Sequence, residues 1–238
     1  MSSRVSAILS AVLAEHERTG VVLPAVLVDL CGRSLPVSGV GMALMTDDGP
    51  AGTVAATDGN VLEVEELQFS LGEGPCVDAS KTGQPVLQPD LARTGRQRWP
   101  AFAAGAASAG LAAVFAFPLR VGGIRLGVLD LHRTTTGALA QDDLASALSF
   151  ADAATAVLLH LQADAAGMQP PLGSLAVLDD RAGVHQATGV VSVQAAVPLQ
   201  EALLLLRARA YAEQRPIGTL AQDVLNGLAD FNGALDSG

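Results

Sequence analysis

The chain has 238 residues, 50% of them hydrophobic, enough to enclose the core of one large domain or two modest ones. Its formal net charge of −10 at pH 7 excludes general binding to a polyanion, because affinity for phosphate backbones rests on neutralised charge and released counterions, so any nucleic-acid site must be local. No run reaches the roughly 18 uninterrupted apolar residues of a membrane span, the opening "MSSRVSAILSAVLAEHERTG" lacks a signal-peptide core, and Cys31 and Cys76 are too few for a disulfide framework or a zinc site.

These features predict a cytoplasmic protein with no membrane partner, no metal and no cofactor. Lys81 is the single lysine among 14 basic residues, so positive charge is carried by fork-shaped guanidinium groups. A GC-rich coding bias explains that as well as function does.

In chain order, Val5, Ile8, Leu9, Val12 and Leu13 fall at helical spacing, and Val26, Leu27, Leu30 and Cys31 do so again, predicting two N-terminal helices. Residues 39–48 and 52–57 read as strands around the turn-rich "DDGPAG", a hairpin. "VLEVEELQF" is helical, "GEGPC" from Gly72 to Cys76 is a loop, and "QPVLQPDL" is a short strand. The Ala-rich "WPAFAAGAASAG" predicts a further helix. "LAAVFAFPLRV" and "IRLGVLDLHR" are strands joined at Gly122 and Gly123, a two-residue hairpin signal. A long helix follows from about Ala140, with Asp142 and Asp143 in its first turn, where carboxylates favour the helix dipole. The sum is an α+β domain, an antiparallel sheet flanked by helices, over residues 1–166.

The prolines in "GMQPPLG" break the pattern, predicting a linker at 167–173. Residues 174–238 show no strand signal and divide into three helices around Pro198 and Pro216, a small all-α unit. In its first helix Ala182 and Gly189, beside Leu175 and Val193, suit close approach of another helix, and Arg181, His185, Thr188 and Ser192 form a polar strip. Leu199, Ala202, Leu203, Leu206 and Ala210 share one face of the second helix. Leu220, Val224, Leu228 and Phe231 share one face of the third. Arg207, Arg209 and Tyr211 flank the second stripe, a guanidinium and aromatic combination that also serves contact with phosphate and unpaired bases. The bland alternative is a solvated charged face over ordinary core packing.

The stretch "DRAGVHQATGVVSVQAAVPLQEALLLLRARAYAEQRPIGTLAQDVL" resembles an ANTAR domain, the three-helix RNA-binding module of transcription antiterminators. The resemblance implies that Arg181, Ala187, Thr188, Gly189 and Arg207 face RNA stem-loops, with Arg209, Tyr211 and Arg215 peripheral to them. "LPVSGVGMAL", "FSLGEGPCVDAS", "RWPAF" and "GVLDLHR" resemble a GAF domain of the actinobacterial kind that precedes such tails. That implies a sensor with a pocket for an unknown small molecule, for which Met42, Leu44, Phe69, Cys76, Trp99 and Phe117 are wall candidates.

Together they imply a signal-responsive antitermination regulator, not an enzyme, acting as a homodimer on stem-loops in nascent transcripts. Trp99 reads first as a packing anchor, and Cys76 first as a buried small hydrophobe, with a redox thiol as the alternative. Two rivals follow: a GAF-type redox enzyme using Cys76, and an interaction module that only dimerises. The imidazoles His16, His132, His160 and His185 have no spaced partner in the sequence and read as structural.

Overall fold

The computed structural model describes residues 3–46, 49–122, 124–165 and 175–232. The expected linker at 167–173, Asp47 and Asp48 of the first hairpin turn, and Gly123 of the second lie outside the described residues. The chain forms two compact units, one of residues 1–69 with 73–170 and one of 171–238 with 70–72.

In the first unit α1 (Ser3–Thr19) and α2 (Leu23–Ser34) lead into β1 (Gly39–Thr46) and β2 (Gly49–Ala56). Next come α3 (Gly59–Leu71), α4 (Pro75–Thr82) and β3 (Val86–Gln88), then a π-helical turn (Leu91–Gly95), α5 (Arg96–Arg98) and α6 (Pro100–Ser108). β4 (Ala113–Val121), β5 (Ile124–Arg133) and α7 (Gln141–Ala165) complete the unit. The strands form one sheet in the order β2-β1-β5-β4-β3, every pairing antiparallel. β5 is central and is buried from Leu126 to His132, so both of its faces are covered.

Alternation along the strands separates the two faces. One face carries Val40 and Met42 from β1, Phe115, Phe117 and Leu119 from β4, and Leu129 and Leu131 from β5. These pack against Val5, Ile8 and Val12 of α1, Leu27 and Cys31 of α2, and Phe150, Ala154 and Leu158 of α7. By length and composition Gln141–Leu161 is apolar enough to cross a membrane. Its stripe from Ala147 to Leu158 is instead part of this core.

The opposite face is lined by Gly39, Gly41 and Ala43 of β1, which pair with His132, Asp130 and Val128 of β5 and therefore point the same way. Two of these glycines let α3 approach. A Cβ at Gly39 would strike Val61, and one at Gly41 would lie 2.6 Å from Oε1 of Glu65. Gly41→Ala is thus expected to cost about 1–3 kcal/mol, the usual range for overpacking, as read by the midpoint of chemical denaturation.

The second unit is α8 (Leu175–Ala195), α9 (Leu199–Ala212) and α10 (Ile217–Leu225). Its core joins Val184, Ala187 and Val191 of α8, Ala202, Leu203, Leu206 and Ala210 of α9, and Ile217, Leu220, Ala221 and Val224 of α10. Pro198 and Pro216 sit at the N-caps of α9 and α10, where a missing N–H costs nothing.

Two expectations for this unit are corrected. The third helix does not run on to Phe231: Gly227 takes φ 71°, the chain turns, and Leu228 is left 77% exposed while Phe231 folds back into the core. The inward face of α8 is the stripe Val184, Ala187, Thr188 and Val191 at i, i+3, i+4 and i+7, not the side holding Val193, which is 82% exposed.

Candidate functional site

On the face of the sheet beneath α3, the sequence places polar groups where a core would ordinarily be apolar. Asp130 and His132 alternate with Leu129 and Leu131 along β5, and Glu65 and Gln68 lie on the same side of α3 as Val61 and Val64. All four polar residues are buried. Glu65 Oε1 stands 3.6 Å from His132 Nε2. The Gln68 carbonyl oxygen accepts a 3.0 Å hydrogen bond from the backbone N–H of Cys76, which ties α3 to the start of α4. Gly74, at φ 140°, permits this: a Cβ there would come within 2.5 Å of that oxygen.

Burial, then the neighbouring Glu65 carboxyl, holds the pKa of Asp130 well above the usual carboxylate range, and Gln68 opposes the shift. Burial pushes the His132 imidazole down to about 4, against a smaller upward pull from Asp58. Neither oxygen of Asp130 has a hydrogen-bond partner in good geometry, and the same holds for Nε2 of Gln68, Nε2 of His132 and Oγ1 of Thr53. Several such atoms on one face mark a place built for more than packing.

The two shifts act oppositely on stability. An acid with a raised folded pKa keeps its proton where the unfolded chain has lost it, so its stabilisation declines as pH rises toward the folded value. An imidazole with a lowered folded pKa adds stability as pH rises from about 4 to its model value of 6.5, and nothing further above that. The Asp130 decline sets in above its ordinary value of 3.8 and runs opposite to the His132 gain. Asp130→Asn is therefore expected to remove that decline, so that the variant gains on the parent as pH rises, by about 1–3 kcal/mol. An equal gain at pH 5 and pH 8 in urea denaturation would contradict this assignment.

The six expected wall residues are not brought together. Met42 and Phe117, with Leu44 beside them, belong to the core against α1, α2 and α7, whereas Phe69 and Cys76 lie on α3 and α4, outside that core. Trp99 is buried as an anchor. Its Nε1 donates to Asp78 Oδ2 at 3.1 Å, the Arg98 guanidinium stacks 4.3 Å from its ring centroid, and Phe102 meets it edge-on. Both cysteines are buried and outside any disulfide, and burial pushes the Cys31 thiol up to about 12. Glu65, Gln68 and Asp130 were absent from the expected set, and His132, expected to stand alone, has Glu65 for a neighbour.

In the second unit, the expected RNA-facing residues separate by environment. Ala187 and Thr188 are buried, a correction. The Thr188 hydroxyl donates 2.7 Å to the Val184 carbonyl, and this local bond lets a polar side chain enter the core. Gly189 is half-buried, with open space where a Cβ would stand. The side chains of Arg181 and His185 lie outside the described residues.

Arg207 is half-buried, and burial lowers its guanidinium to about 10. Arg209 is held by Glu213 at 2.7 Å, by the Asp230 carbonyl at 2.7 Å and over the Phe231 ring at 5.0 Å. Arg215 pairs with Asp223 at 2.5 Å and Glu213 at 3.4 Å. Tyr211 stands 66% exposed, on one side of α9 with exposed Leu204 and Ala208.

The family model of the GAF domain matches residues 22–159. No curated protein matches the chain. Among solved structures, the GAF domain of an Acinetobacter phosphoenolpyruvate-protein phosphotransferase aligns at 13% identity and TM-score 0.52, over 70% of this chain and 99% of that one. The GAF domain of the ptsP phosphoenolpyruvate-protein phosphotransferase from Coxiella burnetii aligns at 16% and 0.50, over 69% and 99%. At these identities the likeness speaks for the fold alone. The five-stranded antiparallel sheet between helices is the fold of those domains, and with the family model spanning more than half of its length, the chain belongs to the GAF domain family.

Proposed function

We propose that this chain is a cytoplasmic regulator in which the GAF domain senses a small-molecule signal and the helical tail, an ANTAR-like module, binds RNA stem-loops to control transcription termination. The observation that carries the reading is the tail's three-helix unit, which displays the Tyr211 ring to solvent on a stripe with Leu204 and Ala208. A large exposed ring on a rigid helix is a stacking platform for unpaired bases. The acid partners of Arg209 and Arg215 restrain the tail's positive charge, so one copy binds RNA weakly and two tails act together on paired stem-loops.

Leu13 of α1 and Leu148 and Leu159 of α7 are exposed at 49%, 44% and 41%, and they supply the apolar surface for a homodimer. Light scattering is expected to return a dimer mass at micromolar concentration, and a monomer mass would count against the pairing.

The test of the RNA reading is fluorescence anisotropy with a paired-hairpin RNA. The full chain should bind with an affinity that falls as salt rises. Tyr211→Ala should weaken binding by about 1–3 kcal/mol with an unchanged salt slope, as expected for lost stacking. No binding at any salt concentration would leave a tail that serves protein contact only.

A further inference from the structure

We infer that residues 91–108, the π-helical turn with α5 and α6, form a strap that opens from the GAF domain as one unit and is latched shut by two carboxylates, Glu73 and Asp78. The inference goes beyond the RNA reading and does not depend on it.

The first support is that the strap is built from local contacts. Leu91, Trp99, Phe102, Ala103 and Ala106 are buried, yet none of them belongs to the core between the sheet and α1, α2 and α7. The π-helical turn, α5 and α6 pack chiefly on one another, and Trp99 meets Phe102 edge-on with 6.5 Å between ring centroids. The backbone follows the same pattern. The N–H of Trp99 donates to the Gly95 carbonyl, that of Ala103 to Trp99 and that of Leu111 to Ala106. Contacts so close in sequence survive when the segment lifts, because a satellite cluster can part from the main core without unravelling.

The second support is how the strap is held. Glu73 Oε1 accepts a 2.8 Å hydrogen bond from the backbone N–H of Phe102. That N–H lies in the first turn of α6, which has no side-chain cap of its own, so a carboxylate from outside the strap satisfies it. Asp78 Oδ2 accepts from Arg98 Nη2 at 2.8 Å and from Trp99 Nε1 at 3.1 Å. These ties gather at residues 98–102, one short stretch of the strap, and both carboxylates come from the turn and first helical residues that open α4. The Asp78–Arg98 pair is reached by water, at 35% and 49% side-chain exposure, and such pairs contribute little. The buried indole contributes more, since its N–H needs an acceptor once removed from water. A latch of this kind is far weaker than the sheet core it closes against.

The third support is the construction of the two ends. Gly110 follows α6 at φ 73°, with nothing near the position a Cβ would take, a left-handed joint suited to a hinge. At the other end the Asp90 side chain accepts from the Arg93 N–H at 3.0 Å and starts the π-helical turn, a rare conformation in any fold. Between these ends α6 rests on α3 at Gly105, where a Cβ would come within 2.6 Å of Leu67. Opening therefore uncovers the outer side of α3 at Leu67.

The experiment is hydrogen exchange of the full chain read by mass spectrometry, paired with acrylamide quenching of Trp99, the single tryptophan. In the parent, amides of α6 should exchange at least about tenfold faster than those of β4 and β5, the mark of an opening that precedes global unfolding. Asp78→Ala and Glu73→Ala should each speed exchange across α6 by about tenfold more, the effect of losing a hydrogen bond to a carboxylate. Both should raise quenching of Trp99 while β4 and β5 keep their protection. Asp78→Asn, which keeps an acceptor for the indole, should fall between Asp78→Ala and the parent. Equal protection of α6, β4 and β5 in the parent, loss of protection in all three together in the variants, or alanine variants that leave α6 and Trp99 unchanged would overturn the strap.

Discussion

Gly127→Ala is expected to destabilise the first unit by about 3 kcal/mol or more, at the upper end of overpacking costs. Gly127 lies in the central strand β5 opposite Leu44 of β1. A Cβ there would drive into the Ala43 backbone carbonyl and come within 3.3 Å of Leu158 on α7. A flexible side chain could swing away, but a carbonyl held in the β1–β5 ladder cannot move without parting the two strands. The urea midpoint should fall sharply with an unchanged slope. A midpoint within experimental error of the parent would mean that the strand pairing at Ala43 is looser than described.

Leu206→Ala is expected to unfold the helical tail while leaving the sheet intact. Leu206 is fully buried at the centre of α9, and deleting a buried leucine costs about 2–5 kcal/mol. A unit of this size holds a stability of the same order, because small domains bury a smaller fraction of their surface. Hydrogen exchange should show amides of α8, α9 and α10 losing protection, with β4 and β5 amides unchanged. Hairpin RNA binding should disappear with that protection. Retained protection in α9 would show that the tail draws its stability from elsewhere.

Much of the architecture was legible because periodicity is local. Alternating strands around two turn-rich breaks gave both hairpins, and prolines at positions 198 and 216 divided the tail as its caps do. The pocket walls were misassigned for a physical reason. Alternation says that Met42 and Leu44 share a face, yet not which layer of helices covers that face, so residues from both sides of the sheet were placed in one cavity.

The buried polar face was hidden because Glu65 and Asp130 are far apart in sequence and meet only through the register that sets Gly41 opposite Asp130. The signal available was the charge in the middle of "GVLDLHR", where Asp130 and His132 occupy one parity of an otherwise apolar strand. On α8, Thr188 was read as outward because a hydroxyl counts as polar in a pattern. Its bond to the Val184 carbonyl removes that penalty and reverses the face.

We propose that the GAF domain carries an RNA-binding tail. The most direct test is ultraviolet crosslinking of the full chain to a paired-hairpin RNA, with the crosslinked peptides mapped by mass spectrometry. Crosslinks are expected within α8 and α9, with Tyr211 among the modified residues and their yield falling as salt is raised. Crosslinks confined to the GAF domain, or none at RNA concentrations that saturate a known stem-loop binder, would contradict it.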